Sequence, residues 1–313
     1  MSLMYNWKIY GNQRVLIQLE RDINGGNLSH AYLFSGPDNV GKYAVARNMA
    51  KILQCEGEHS DNPIAKEIDA GYHADTIEIK DDFESVKIEK IRDVIEKMNM
   101  TKQSPFKILL LQNLERLTPE SGNALLKTLE DPPSNVVFIM TTDNLNEILP
   151  TVISRVRNVY FSRLTNDEMT GFLKANFKEA DADLLNRAAT LSLGRPGKAY
   201  DLMSDLETYE LYLKMYEDIE QLIQKKNKTD QFMYIESLVN QAKDEKKAYL
   251  IKEFLDILLL VLRKELIAGA GGINASIPKE KAVNLTVKIL KAKELMKRNV
   301  NTRLLLENLM LSI

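Results

Sequence analysis

The spacing of apolar positions divides the chain into two regimes that meet near residue 162. In the first, short apolar runs alternate with segments of helical periodicity. Val15, Leu16, Leu19 and Ile23 recur at helical spacing over residues 12–24, and Gly25-Gly26 stops that helix. His30 to Ser35 (HAYLFS) is a short apolar run that feeds into Gly36, and a helix follows with Val45, Ala46, Met49, Ile52 and Leu53 on one face. Thr76 to Ile79 predicts a strand, and Ile88, Ile91, Ile95 and Met98 mark an amphipathic helix within 86–98. Lys107 to Leu111 (KILLL) and Val136 to Met140 (VVFIM) show no polar alternation, the pattern of parallel strands covered on both faces. Between them Thr118-Pro119 supplies an N-cap and a first-turn proline, and Pro132-Pro133 ends the helix. The polar stretch 56–75, with Gly57, Pro63 and Gly71, reads as a surface excursion.

Strands alternating with helices predict a three-layer α/β core with a parallel sheet, extending to about residue 162. Beyond it no strand-like run occurs. Helical patterns occupy Asp167 to Ile313, interrupted by Gly194-Arg195-Pro196-Gly197 and by the glycine-rich run Gly269 to Gly272. Apolar stretches such as Phe254 to Leu262 are core or subunit interface.

Composition narrows the function. At 313 residues the chain has room for two or three domains. Its 44% apolar and 27% charged residues are ordinary for a globular protein. No apolar run approaches the roughly 20 residues of a membrane helix, and the first residues carry no signal pattern, so a cytoplasmic location is expected. A net charge of −2 argues against affinity built on neutralising many phosphates, so any role near DNA is expected to run through protein partners. The single cysteine, Cys55, excludes an internal disulfide and a multi-cysteine zinc site.

The run Gly36-Pro37-Asp38-Asn39-Val40-Gly41-Lys42-Tyr43 has the frame of a phosphate-binding loop between a strand and a helix. Gly36, Gly41 and Lys42 supply that frame and its charge. Asn39 tolerates a left-handed backbone. Such a loop also needs a Ser or Thr hydroxyl on magnesium, and here the residue after the lysine is Tyr43. The metal-holding and water-polarising acids belong at the end of the next core strand. That strand is Ile108 to Leu111, and Gln112 and Asn113 follow it; both are amides. Glu115 lies past the strand end and reads as a surface charge. On pattern alone, a glycine turn with a surface lysine competes with a nucleotide site at Lys42.

HAYLFSGPDNVGK, NALLKTLEDPPSNVVFIMTT (Asn123 to Thr142), ILPTVISR (Ile148 to Arg155) and GRPGKA (Gly194 to Ala199) together resemble the bacterial DNA polymerase III clamp loader, a branch of the AAA+ ATPases. The altered loop is closer to the delta-prime type of subunit than to the gamma/tau motor type. The resemblance implies an AAA+ core over 1–162, a small helical lid over 163–207 and an all-α collar over 208–313. It also implies a five-membered ring with a gamma/tau-type motor subunit and a delta subunit, which loads a sliding clamp onto primed DNA. In that family the Ser-Arg pair, here Ser154 and Arg155, reaches the ATP of a neighbouring motor subunit as an arginine finger. Without that context Arg155 and Arg157 are surface arginines at a strand entrance.

Three departures qualify the carry-over. Val156 stands where the family usually has cysteine. Of the family's four-cysteine zinc module only Cys55 remains, and with His59 and His73 as the other candidates no zinc is expected. The lid arginine that senses nucleotide falls opposite Gly197, with Lys198 adjacent. Thr141 and Thr142 occupy the place where motor subunits read the γ-phosphate, and in this loop are expected to be strand-end hydrogen bonders. ATP or ADP binding is therefore doubtful, and no cofactor is required. The expected function is a non-hydrolysing structural subunit within the polymerase III holoenzyme; the alternatives are a divergent AAA+ ATPase using Glu115 or Asp143, and a ring-forming remodeller outside replication.

Overall fold

The computed structural model describes residues 3–57, 61–81, 84–225, 227–244, 247–270, 276–296 and 300–313. They form two compact units, Met1–Tyr200 and Asp201–Ile313.

The first unit is built on five parallel strands: β1 (Ala31–Ser35), β2 (Thr76–Ile79), β3 (Lys107–Leu111), β4 (Val136–Thr142) and β5 (Arg157–Tyr160). Their order is β2-β3-β4-β1-β5. Helix α1 (Gln13–Asn24) precedes β1, and α2 (Lys42–Gln54), α3 (Pro63–Ala70), α4 (Ile88–Asn99), α5 (Pro119–Glu130) and α6 (Pro150–Ile153) connect the strands. The uninterrupted apolar strands have a simple cause. Tyr32, Phe34, Ile108, Leu110, Val137 and Ile139 face one layer with Leu16, Leu19, Met49 and Ile52. Ala31, Leu33, Leu109, Leu111, Phe138 and Met140 face the other with Ile91, Val94, Leu125 and Leu129. With period two and both faces covered, the inner positions of β1, β3 and β4 must be apolar. The three-layer parallel architecture is therefore the one expected.

Residues 56–75 differ from their reading as an excursion, because α3 lies within them. The Asn62 side chain accepts the Ile64 N–H at its start, Pro63 takes the first turn, and Gly71 closes it at φ +80°. Ala65 and Ile68 are its buried contacts. The helix is also tied to α2: Arg47 donates to the carbonyls of Ile68 and Asp69, and Lys51 pairs with Asp69 at 2.5 Å.

The sheet is followed by α7 (Asn166–Asn176), α8 (Ala182–Leu191) and α9 (Pro196–Ser204). Thr165 and Glu168 form a capping box that starts α7. The expected core and most of the expected lid thus fall in one unit. The second unit carries α10 (Leu206–Lys225), α11 (Lys228–Gln241), α12 (Leu250–Ala270), α13 (Lys279–Leu295) and α14 (Thr302–Leu311). Phe254, Leu255, Ile257, Leu258, Val261 and Leu262 on α12 are buried, so that stretch is core within its own unit. The glycine-rich run begins inside α12, and its last residues, Gly271 and Gly272, lie outside the described residues.

Candidate functional site

The loop after β1 has its expected backbone. Gly36, Asn39 and Gly41 all take positive φ, at +136°, +56° and +95°. Gly36 has a reason of its own: a Cβ there would lie 2.2 Å from the Phe161 carbonyl oxygen, where β5 runs against β1. Its smallness serves the sheet whether or not a ligand is present.

Lys42 is buried at the first turn of α2. Its ammonium donates to the Gly36 carbonyl at 2.7 Å and to the Pro37 carbonyl at 2.5 Å. It also pairs with Asp143 Oδ1 at 2.7 Å. A lysine has three N–H donors, and these contacts engage all of them. Next to it, Tyr43 does not stand in for a small hydroxyl. Its phenol hydrogen-bonds Glu78 Oε1 on β2, an oxygen that also meets Arg47 Nε at 3.1 Å. Burial first, then the Glu78 contact, push the phenol far above its ordinary pKa.

At the end of β3 the two amides are engaged locally. Gln112 Oε1 accepts the Asp81 N–H at 3.3 Å, and Asn113 Nδ2 donates to Asp81 Oδ2 at 2.5 Å. Thr141 Oγ1 accepts the Asn113 N–H, and Thr142 Oγ1 accepts the Asn144 N–H, each at 3.0 Å. Both threonines are strand-end hydrogen bonders. Glu115 differs from its reading as a surface charge. One of its oxygens accepts the Asp143 N–H at 2.9 Å, while Oε2 is buried with no hydrogen-bond partner. These residues do not fit a magnesium–nucleotide: the lysine is occupied, no small hydroxyl follows it, and the strand-end acids are absent.

The start of α9 stands directly on this loop. The Gly197 N–H donates to the Asn39 carbonyl at 3.0 Å, and Arg195 Nη1 meets Asp38 Oδ1 at 3.4 Å. Arg195 is fully buried, and its Nε donates to the Ser192 carbonyl at 3.2 Å. A Cβ on Gly197 would lie 3.3 Å from the Cβ and carbonyl oxygen of Asn39, tighter than ordinary contact, so the helix start packs closely on the loop. Arg195 and Asp143 are the functional candidates that motif reading undervalued. An arginine before the first-turn proline of α9 was the available signal for one. Nothing local marks the other as the partner of a lysine 101 positions earlier.

Ser154 and Arg155 follow α6. Arg155 Nη1 donates to the Thr151 carbonyl at 2.7 Å and to Ser154 Oγ at 3.1 Å. Its Nη2 pairs with Glu130 Oε1 at 2.5 Å, both side chains being partly exposed. Ser154 Oγ in turn donates to the Thr151 carbonyl at 3.0 Å. Arg157 is held by the buried Asp22 at 2.8 Å, which also accepts from Tyr32. The register sets Arg157 beside Tyr32, at the start of β1, whereas Gly36 follows the other end of that strand. Arg155 and Lys42 therefore do not belong to one site within this chain.

Of the weighed metal ligands, His59 lies outside the described residues. His73 is buried with its ring nitrogens on the Thr76 and Ser104 hydroxyls at 2.9 and 3.2 Å. Burial raises the Cys55 thiol above its ordinary pKa. No helix among the described residues is long and apolar enough to cross a membrane.

Residues 11–165 match the family described as DNA polymerase III, delta subunit. The DNA polymerase III subunit gamma of Buchnera aphidicola (subsp. Acyrthosiphon pisum) is 33% identical over 172 residues, covering 53% of this chain and 47% of that one. The subunit tau of Escherichia coli is 34% identical over 167 residues, covering 51% of this chain and 26% of that one. The chain thus spans about half, or less, of the curated relatives it matches. A DNA polymerase III gamma subunit-related protein of Thermotoga maritima aligns over 94% of this chain and 97% of its own, with 21% identity and a TM-score of 0.45. Residues 11–165 are thus similar to a family of DNA polymerase III subunits, and about half of the chain is similar to subunits described as gamma and tau.

Proposed function

We propose that the chain is a delta-prime-type subunit of the clamp loader: non-hydrolysing, cytoplasmic, and joined with a gamma/tau-type motor subunit and a delta subunit in a five-membered ring. In this reading it lends Arg155 to a neighbouring motor subunit during ATP-driven loading of the sliding clamp onto primed DNA. It holds no zinc and requires no cofactor of its own. The observation that carries the reading is the engaged Lys42, whose three donors go to Gly36, Pro37 and Asp143. Support for the arginine comes from its placement at a partly exposed turn, braced by Ser154 and Glu130. A planar, always-charged group with five donors suits a phosphate at a subunit edge, and lysine is not equivalent.

The test is reconstitution with motor subunit, delta subunit and clamp. Arg155→Ala is expected to assemble normally yet reduce DNA- and clamp-stimulated ATP hydrolysis and clamp loading, with little rescue by Arg155→Lys. An arginine finger is worth roughly 10³–10⁵ in rate in phosphoryl transfer; the loss here is smaller because only one motor site depends on this chain. Wild-type loading by the alanine variant refutes the role. The buried, unpartnered Glu115 Oε2 favours a second reading, a divergent ATPase using Glu115 or Asp143. Magnesium-dependent turnover by the isolated chain that disappears in Lys42→Ala would establish that second reading.

A further inference from the structure

The family context implies nucleotide at the phosphate loop, and the residues present do not fit it. What fills the loop instead consists of groups of this chain. Asp143 Oδ1 lies 2.7 Å from Lys42 Nζ, in the role a phosphate oxygen plays for such a lysine. Above it the lid reaches the loop through the Gly197 N–H on the Asn39 carbonyl and through the buried Arg195 on Asp38. The N-terminal segment covers the flank. Ile9 Cδ1 lies 3.5 Å from where a Gly41 Cβ would stand, and Tyr10 packs edge-on against Phe172 of α7.

We propose that Asp143 is an internal counter-ion that occupies Lys42 in place of phosphate, and that this contact keeps the loop closed to nucleotide. Exclusion then depends on one carboxylate as well as on lost metal ligands. Tyr43, Gln112 and Asn113, standing where a hydroxyl and two acids would be, disable magnesium binding, but a backbone loop with a free lysine still binds polyphosphate. Here the lysine is not free. Its two carbonyl acceptors are neutral, so the negative charge at Lys42 comes from Asp143, whose backbone N–H is itself fixed by Glu115. Asp143 sits on the loop after β4 and its side chain is about one-third exposed, so its charge can be changed without opening the core. The neighbouring charged groups are Asp38 with Arg195, and Glu115.

This inference rests on the reading of the chain as a non-hydrolysing subunit, and its test separates the two. The experiment is calorimetric titration of the full chain with ADP and, separately, with pyrophosphate, without magnesium. Wild type, Asp143→Asn and Asp143→Asn/Lys42→Ala are compared, each checked for wild-type circular dichroism and melting. Wild type is expected to bind neither ligand at millimolar concentration. Asp143→Asn is expected to bind pyrophosphate and ADP at least tenfold more tightly, and the added Lys42→Ala to abolish the gain. Asp143→Ala is a second route should the asparagine keep the contact as a neutral hydrogen bond. If neither single variant gains affinity, the inference is overturned and the non-hydrolysing reading stands. If wild type already binds ADP tightly and both variants leave that unchanged, the inference is overturned. Magnesium-dependent ATP turnover by that same preparation, assayed separately, would overturn the non-hydrolysing reading as well.

Discussion

Gly36 is the first residue of the phosphate-loop frame, yet its geometry predicts a cost that has nothing to do with phosphate. Replacing it with alanine places a methyl 2.2 Å from the Phe161 carbonyl oxygen, a backbone atom that no rotamer change can move. The residue also sits at φ +136°, where an L side chain is strained by about 1–3 kcal/mol. Relief requires β5 to move away from β1, and the bond from the Phe161 N–H to the Ser35 carbonyl at 2.8 Å lies at that point. Losing it adds about 0.5–1.5 kcal/mol. The expected penalty is therefore roughly 1.5–4.5 kcal/mol. At about 2–4 °C per kcal/mol for a unit of this size, that is a fall in Tm of order 10 °C. Gly41→Ala is the control: φ is +95°, but the new methyl would meet only Ile9 Cδ1 at 3.5 Å. It should lose only the backbone strain, about 1–2 kcal/mol. Urea unfolding followed by circular dichroism and by Trp7 fluorescence would measure both. A Gly36→Ala variant no less stable than Gly41→Ala would refute the reasoning, because the close approach of β5 would then carry no weight.

Two further outcomes follow from the site and its surroundings. Restoring a hydroxyl with Tyr43→Thr should not create magnesium-dependent ATP hydrolysis, because Gln112 and Asn113 still lack the acids; a phosphate-release assay showing turnover in this variant would overturn that account. At Asp75, burial raises the carboxyl, but the N–H groups of Gln103 and Ser104 at 2.6 and 2.8 Å, together with Lys107, outweigh it and hold the pKa below the ordinary value. A folded pKa below the unfolded one gives stability that is present above about pH 4 and lost as pH falls through the lowered folded value. Asp75→Asn should therefore destabilise at pH 7 and progressively less in acid, and a penalty that does not change with pH would show the aspartate acting only by shape.

Much of this architecture is legible in the sequence because the central strands β1, β3 and β4 are covered twice. Ile108 to Leu111 and Val136 to Met140 admit no polar residue when alternate side chains enter opposite layers, so an unbroken run is the direct record of a parallel sheet. The helix α3 escaped the same reasoning for the converse reason. Over eight residues it buries only Ala65 and Ile68, too few for a periodicity, and its mark was the capping pair Asn62-Pro63. The site divides in the same way. Gly36, Asn39, Gly41 and Lys42 lie in one short run, so the loop is written locally, and the absence of a hydroxyl and two acids is visible at Tyr43, Gln112 and Asn113. What the chain puts in place of the lost ligand is written nowhere near the loop. Asp143 and Arg195 reach it only because β4 lies beside β1 in the sheet and the start of α9 stands on Asn39. Missing chemistry can thus be read from a motif, whereas the replacement contacts depend on tertiary packing. A degenerate phosphate loop identified from pattern alone accordingly leaves open whether its lysine is free for an anion, and in this chain the answer lies with a single carboxylate on another strand's loop.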